Sequence, residues 1–334
     1  MEATSFSSLV VVVIAAFLTP ILLNRFRLRF IPVVVGEIIA GLIIGKSGFD
    51  WVQQGVWIHT LSTLGFIYLL FLSGLEIDFS VFAGKSEKRT LENGRKEPNG
   101  LFVALTVFVM VLVIAFLLSM LFVWTGLVHN VYLMSLVIAT ISLGIVVPTI
   151  KDMGIVKTSV GQMILLITVV GDLLTMILLA VFVSLFSKES GSTWLLLVLF
   201  AAGVMLYFIG KYFRHQSFLE TMSRGTIHID TRAVFALIIV LVGLSKSLGV
   251  EIILGSFLAG ALVSLLSPNP VMVQKLDSFG YGFLIPIFFV MTGVKLNIWS
   301  LFADSSILLL MPLLFVAFFL AKMIPSLLIK RWYG

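Results

Sequence analysis

The sequence predicts an all-α polytopic membrane protein of about eleven transmembrane helices, and three observations lead there. Hydrophobic residues make up 60% of the 334 and charged residues only 11%, whereas a soluble domain carries about 25% charged residues. Apolar runs recur at intervals of roughly 20 residues, the helix length that crosses about 30 Å of hydrocarbon. Lysines and arginines gather in alternate loops between those runs.

In chain order, the apolar runs place spans at 8–23, 31–46, 57–83, 101–124, 130–149, 159–186, 193–210, 233–249, 252–266, 278–294 and 305–329. The segment before the first run, Met1–Ser8, has neither a basic region nor a small-residue cleavage site, so that run reads as a signal-anchor span. Connections are short except for the polar stretches 84–100 and 211–232. No composition shift marks off a soluble domain, and residues 1–334 read as one transmembrane domain.

Charge placement orients it. With the N-terminus outside, the cytoplasmic loops hold 17 of the 22 Lys and Arg, including Arg25, Arg27 and Arg29. The outer loops hold Lys46, Lys188, Lys246 and Lys295, and Lys322 falls within a span. Positive loops stay inside, so the C-terminus is expected in the cytoplasm and the protein in a bacterial plasma membrane. The net charge of +6 is dispersed over loops rather than gathered on one face, which argues against nucleic acid and leaves the lipid bilayer as the expected partner. With no cysteine, disulfides, zinc–thiolate sites and iron–sulfur clusters are excluded, and no cofactor is expected.

Ionisable groups within spans are costly and mark function. Asp172 lies 13 residues from Ser159 and 14 from Phe186, near the midplane of its span, and nothing else between Ile164 and Leu179 is charged. A carboxylate there costs roughly 2.5–3.5 kcal/mol on insertion scales, too much for a packing device. Lys322 admits two readings: a cation facing Asp172 as its ion-pair partner, or a long side chain snorkelling to the inner headgroups. Glu37 sits beside Gly36 in a short span, and Glu76 and Asp78 near an inner helix end; these three read as a cytoplasmic funnel or as structural groups.

The span 130–149 carries Thr140, Ser142, Gly144 and Pro148 in its second half, which invites unwinding near Gly144. Irregular backbone at membrane depth survives only where it lines a cavity or is buried in protein, and transporters build ion sites from such discontinuous helices. Gly41-Leu42-Ile43-Ile44-Gly45 is a small-xxx-small motif, expected to pack within the chain rather than between copies.

Four stretches carry a resemblance. Residues Ile31–Gly45 (IPVVVGEIIAGLIIG), Phe71–Asp78 (FLSGLEID), Gly255–Gly260 (GSFLAG) and Pro286–Gly293 (PIFFVMTG) resemble, in order, signatures of the second monovalent cation:proton antiporter family, which holds sodium/proton exchangers and potassium-efflux systems. The resemblance implies inverted repeats, a core domain that moves against a dimerisation domain, hence a homodimer, and an aspartate that binds cation and proton in turn. That aspartate maps to Asp172, and the family's basic residue near it to Lys322. Electrogenic members are expected to carry two acids at this place; here Gly171 precedes Asp172, which leaves one carboxylate and implies electroneutral exchange. The family usually has thirteen spans and often a soluble regulatory domain. The chain is therefore expected to be truncated at its C-terminus, with an inactive fragment as one alternative and a cytosolic regulatory subunit as a partner to look for.

Exchange of Na+ or K+ for H+ is the leading expectation, with Thr140, Ser142 and carbonyls near Gly144 completing an oxygen shell for a monovalent cation at Asp172. A channel would need a filter loop, and none is visible. No His-Glu-x-x-His, Gly-x-Ser-x-Gly or cysteine is present, so an enzyme is not expected.

Overall fold

The computed structural model describes residues 2–28, 31–53, 55–76, 100–141, 143–156, 158–186, 229–247, 252–266, 269–302 and 305–333, with a few positions in 201–208. Among the described residues the secondary structure is helical and no strand occurs. The helices are α1 (Glu2–Arg25), α2 (Val33–Ile44), α3 (Val56–Leu75), α4 (Gly100–Trp124), α5 (Val131–Ala139), α6 (Leu143–Asp152), α7 (Ser159–Phe186), α8 (Ile229–Ser247), α9 (Ile252–Leu265), α10 (Pro270–Phe279), α11 (Ile285–Lys295), α12 (Ile298–Phe302) and α13 (Ser305–Tyr333). A π-helical turn, Gly280–Leu284, runs α10 into α11. Among the described residues, five segments are long and apolar enough to cross a membrane: Phe6–Arg25, Val56–Leu75, Gly100–Trp124, Pro270–Ser300 and Leu308–Leu327. The expected span 193–210 lies almost wholly outside the described residues, as do Asp78 and Ser142.

The chain divides into two compact units. The first, Met1–Ile77 with Trp194–Ile298, is built around α3, whose residues Ile67 to Leu75 are buried on every side. A helix apolar all round belongs inside. Here that requires neighbours pressed close on both flanks, and glycine makes the room. A Cβ at Gly74 would fall on the Phe257 carbonyl of α9, and one at Gly260 on the Phe71 carbonyl of α3, so the two helices cross at a pair of bare backbones. On α2 and α11, Gly41 and Gly293 do the same: a Cβ on the first would meet the Val290 carbonyl, and one on the second the Ile38 carbonyl. The small-xxx-small motif of α2 thus packs within the chain, as expected. Tyr68 closes the core where α10 meets the π turn, donating to the Leu276 carbonyl at 3.2 Å and stacking on Phe235.

The second unit, Asp78–Thr193 with Trp299–Gly334, contains α4, α5, α6, α7 and α13. On α4 the buried residues Val103, Val107, Val111 and Ala115 recur every fourth position and meet Met134, Ile138 and Ala139 of α5. Ala317 and Ala321, both almost fully buried, are the small face by which α13 joins this cluster. The expected span 130–149 is two helices. Thr140 ends α5 with ψ 134, and both its amide and its hydroxyl donate to the Leu136 carbonyl, at 3.0 and 2.8 Å. The break therefore lies at 140–141, ahead of Gly144, which is already inside α6. A proline in the interior of α6 costs one backbone bond, the donor that the Gly144 carbonyl lacks, without unwinding the turn around it.

Candidate functional site

The candidate site is assembled on α7. Three polar side chains, Thr168, Asp172 and Thr175, are buried at positions i, i+4 and i+7, which is one face of a helix. Thr168 donates to the Ile164 carbonyl at 2.7 Å. Thr175 donates to the carbonyls of Gly171 and Asp172, at 2.8 and 2.9 Å. Each hydroxyl gives its hydrogen to the helix backbone and keeps its oxygen lone pairs as acceptors. The two threonines were absent from the residues expected at the site; their spacing from Asp172 was the signal that could have found them.

The break between α5 and α6 meets this face. An ideal Cβ on Gly171 would lie 3.1 Å from Cδ1 of Ile141, 3.7 Å from its Cγ1 and 3.8 Å from Cδ2 of Phe108 on α4. Ile141 thus rests on the residue immediately before Asp172. Of the oxygen donors expected from the sequence, Thr140 is the exposed cap residue of α5, Gly144 stands in the first turn of α6, and Ser142 lies outside the described residues.

Lys322, which the sequence allows either to face Asp172 or to snorkel, meets a carbonyl. Its Nζ donates to the Ile138 carbonyl at 2.8 Å and lies 4.9 Å from the centroid of the Phe318 ring, and no ion pair with Asp172 forms among the described residues. Ile138 is in the last turn of α5, where carbonyls have no helical partners and the helix dipole is negative. The ammonium caps the half-helix instead of pairing with the acid. Glu37, buried in α2, and Glu76, just beyond α3, both belong to the first unit, not to the unit that holds Asp172.

Comparison with known proteins gives the family. Residues 12–334 match the model of the family described as "Sodium/hydrogen exchanger, transmembrane". The chain is 60% identical over its full 334 residues to the putative Na+/H+ antiporter YjbQ of Bacillus subtilis, of which it spans about half (54%). It is 30% identical over 88% of its length to a probable Na+/H+ antiporter of Methanocaldococcus jannaschii, covering 72% of that protein. It is 24% identical over 85% of its length to the Na+/H+-K+ antiporter GerN of Bacillus cereus, again covering 72%. With the family model matched over nearly the whole chain, the protein belongs to the sodium/hydrogen exchanger family.

Proposed function

We propose that the protein exchanges a monovalent cation, Na+ or K+, for H+ across a bacterial plasma membrane, one for one, with Asp172 as the shared carrier. The observation that carries this reading is a lone buried carboxylate on an apolar helix, next to a residue on which the break of a discontinuous helix rests. The relatives named as Na+/H+ and Na+/H+-K+ antiporters support the substrate class.

Deprotonated Asp172 holds the cation; protonation neutralises the carboxyl and releases it, so the two ligands compete for one group. Oxygens of Thr140, Ser142 and Thr168 and the Gly144 carbonyl, which lacks an amide donor at Pro148, are the proposed remainder of the shell. The Lys322 ammonium balances the negative end of α5, so the broken helix presents its carbonyls without an uncompensated dipole. Transport then follows by alternating access, each ligand crossing while bound. In this reading the N-terminus is outside, which puts the exposed Trp51, Trp57, Trp124 and Trp299 at outer helix ends, where tryptophans anchor in the interface.

The test is fluorescence dequenching of a pH dye in everted vesicles carrying the intact gene product. Addition of Na+ or K+ should collapse an imposed proton gradient, and Asp172→Asn should remove the response. A response to neither cation would refute the assignment.

A further inference from the structure

We propose that Ile141, seated on Gly171, is a positioning residue that sets how closely the α5–α6 break approaches Asp172, and thereby which cation the site prefers. The inference rests on the reading of Asp172 as the carrier and adds to it the part that measures size. Gly171 has no side chain, and the terminal methyl of Ile141 occupies the ground above its Cα, with Phe108 of α4, itself buried, at the side. On the α7 side this seat is fixed, because the Thr175 hydroxyl ties the carbonyls of Gly171 and Asp172 into one turn. On the break side Ile141 has no helical backbone to hold it. Its β-branched side chain is stiff about χ1 and acts as a spacer of fixed length.

Thr140 precedes Ile141 in the chain, so a movement of this spacer that shifts the break carries the Thr140 oxygen with it relative to the carboxylate. Oxygen cages discriminate hard cations by cavity size and ligand number. The spacing is close-fitting: at 3.1 Å an added Cβ obliges Ile141 to retreat by a few tenths of an ångström.

The experiment uses Gly171→Ala, Ile141→Val, their double variant and Asp172→Asn in everted vesicles with the intact gene product, reading half-saturation for Na+ and for K+. Gly171→Ala should weaken half-saturation by about fivefold for the preferred cation and change the Na+/K+ ratio by about threefold or more, because small misplacement of catalytic groups is costly. Ile141→Val removes Cδ1, the atom that the new Cβ would strike, so the double variant should return to within about twofold of the native ratio, a non-additive rescue. A residue of merely structural importance would lower the amount of protein and the maximal rate, leaving the ratio unchanged.

An unchanged ratio in Gly171→Ala, or a double variant no better than the single, overturns the proposal. Should Gly171→Ala fail to accumulate in the membrane, Ile141→Ala decides: it removes the spacer without adding an atom, and a native ratio there is equally fatal. Exchange surviving in Asp172→Asn would remove the carrier reading and this inference together. Loss of exchange in that variant beside a native ratio in Gly171→Ala would remove only the inference.

Discussion

Lys322 Nζ donates to the Ile138 carbonyl at 2.8 Å, joining α13 to the last turn of α5 across 184 residues of chain. The bond places a full positive charge where a half-helix ends in unsatisfied carbonyls beside an interruption. A hydrogen bond from a charged donor contributes about 1.5–3 kcal/mol, and a favourable dipole term about 0.3–2 kcal/mol.

Lys322→Met keeps the length of the side chain and deletes the donor. It should lower the melting temperature of the detergent-solubilised protein, while Lys322→Arg retains most of it. Because the ammonium is held on a carbonyl, the pH of half-maximal exchange should move little in Lys322→Met. A shift of a full pH unit or more would mean that Lys322 reaches Asp172 at some point in the cycle.

Glycines of the first unit divide sharply by their surroundings. A Cβ on Gly41 would fall on the Val290 carbonyl, whereas one on Gly243, in α8, would meet nothing within 4 Å. Gly41→Ala should therefore force α2 and α11 apart at a cost of about 1–3 kcal/mol or more, as overpacking does. Gly243→Ala should be neutral or gain up to about 1 kcal/mol from helix propensity. Thermal unfolding of the two variants side by side checks the contrast; equal destabilisation would contradict the crossing described for α2 and α11.

Much of this was legible in the sequence, for reasons that differ by residue. Asp172 stood out because a single carboxylate in an otherwise apolar helix has few structural uses, and the helix Ser159–Phe186 has the limits expected from its apolar run. The motif glycines were legible as small residues, but their partners were not: pairing Gly41 with Gly293 or Gly74 with Gly260 depends on helix rotation, which composition leaves free. The break was expected near Gly144 and Pro148, yet it occurs at the residue whose hydroxyl can cap α5, because capping at Thr140 satisfies a carbonyl while Pro148 forfeits only one bond. Lys322 reads from the sequence as a charge facing Asp172 or as a side chain snorkelling to the headgroups. Its carbonyl partner could not be inferred, since every residue carries a carbonyl and only a helix end makes one attractive.

Asp172→Asn should abolish cation-dependent proton movement while leaving the protein in the membrane at native levels. The amide is nearly isosteric and relieves the cost of a buried charge, so folding should be untouched or improved. Size-exclusion profile and thermal stability separate this outcome from misfolding. Near-native exchange in the variant would move the carrier to another group.

The number of carriers can be read from competition between cation and proton. With Gly171 before Asp172, one carboxyl binds either ligand, so below that carboxyl's own pKa each fall of one pH unit should raise cation half-saturation about tenfold. Two coupled carboxyls that both had to lose protons would give about a hundredfold per unit. Half-saturation for Na+ measured from pH 5 upward in half-unit steps, with equal pH on both sides, gives the slope directly. A limiting slope of one would fit one proton exchanged per cation, and the initial rate should then ignore a membrane potential clamped with potassium and valinomycin. A slope near two, or a marked acceleration under the clamp, would require a second titrating group. Glu37 would be tested next through Glu37→Gln, as the other carboxylate buried in a helix among the described residues.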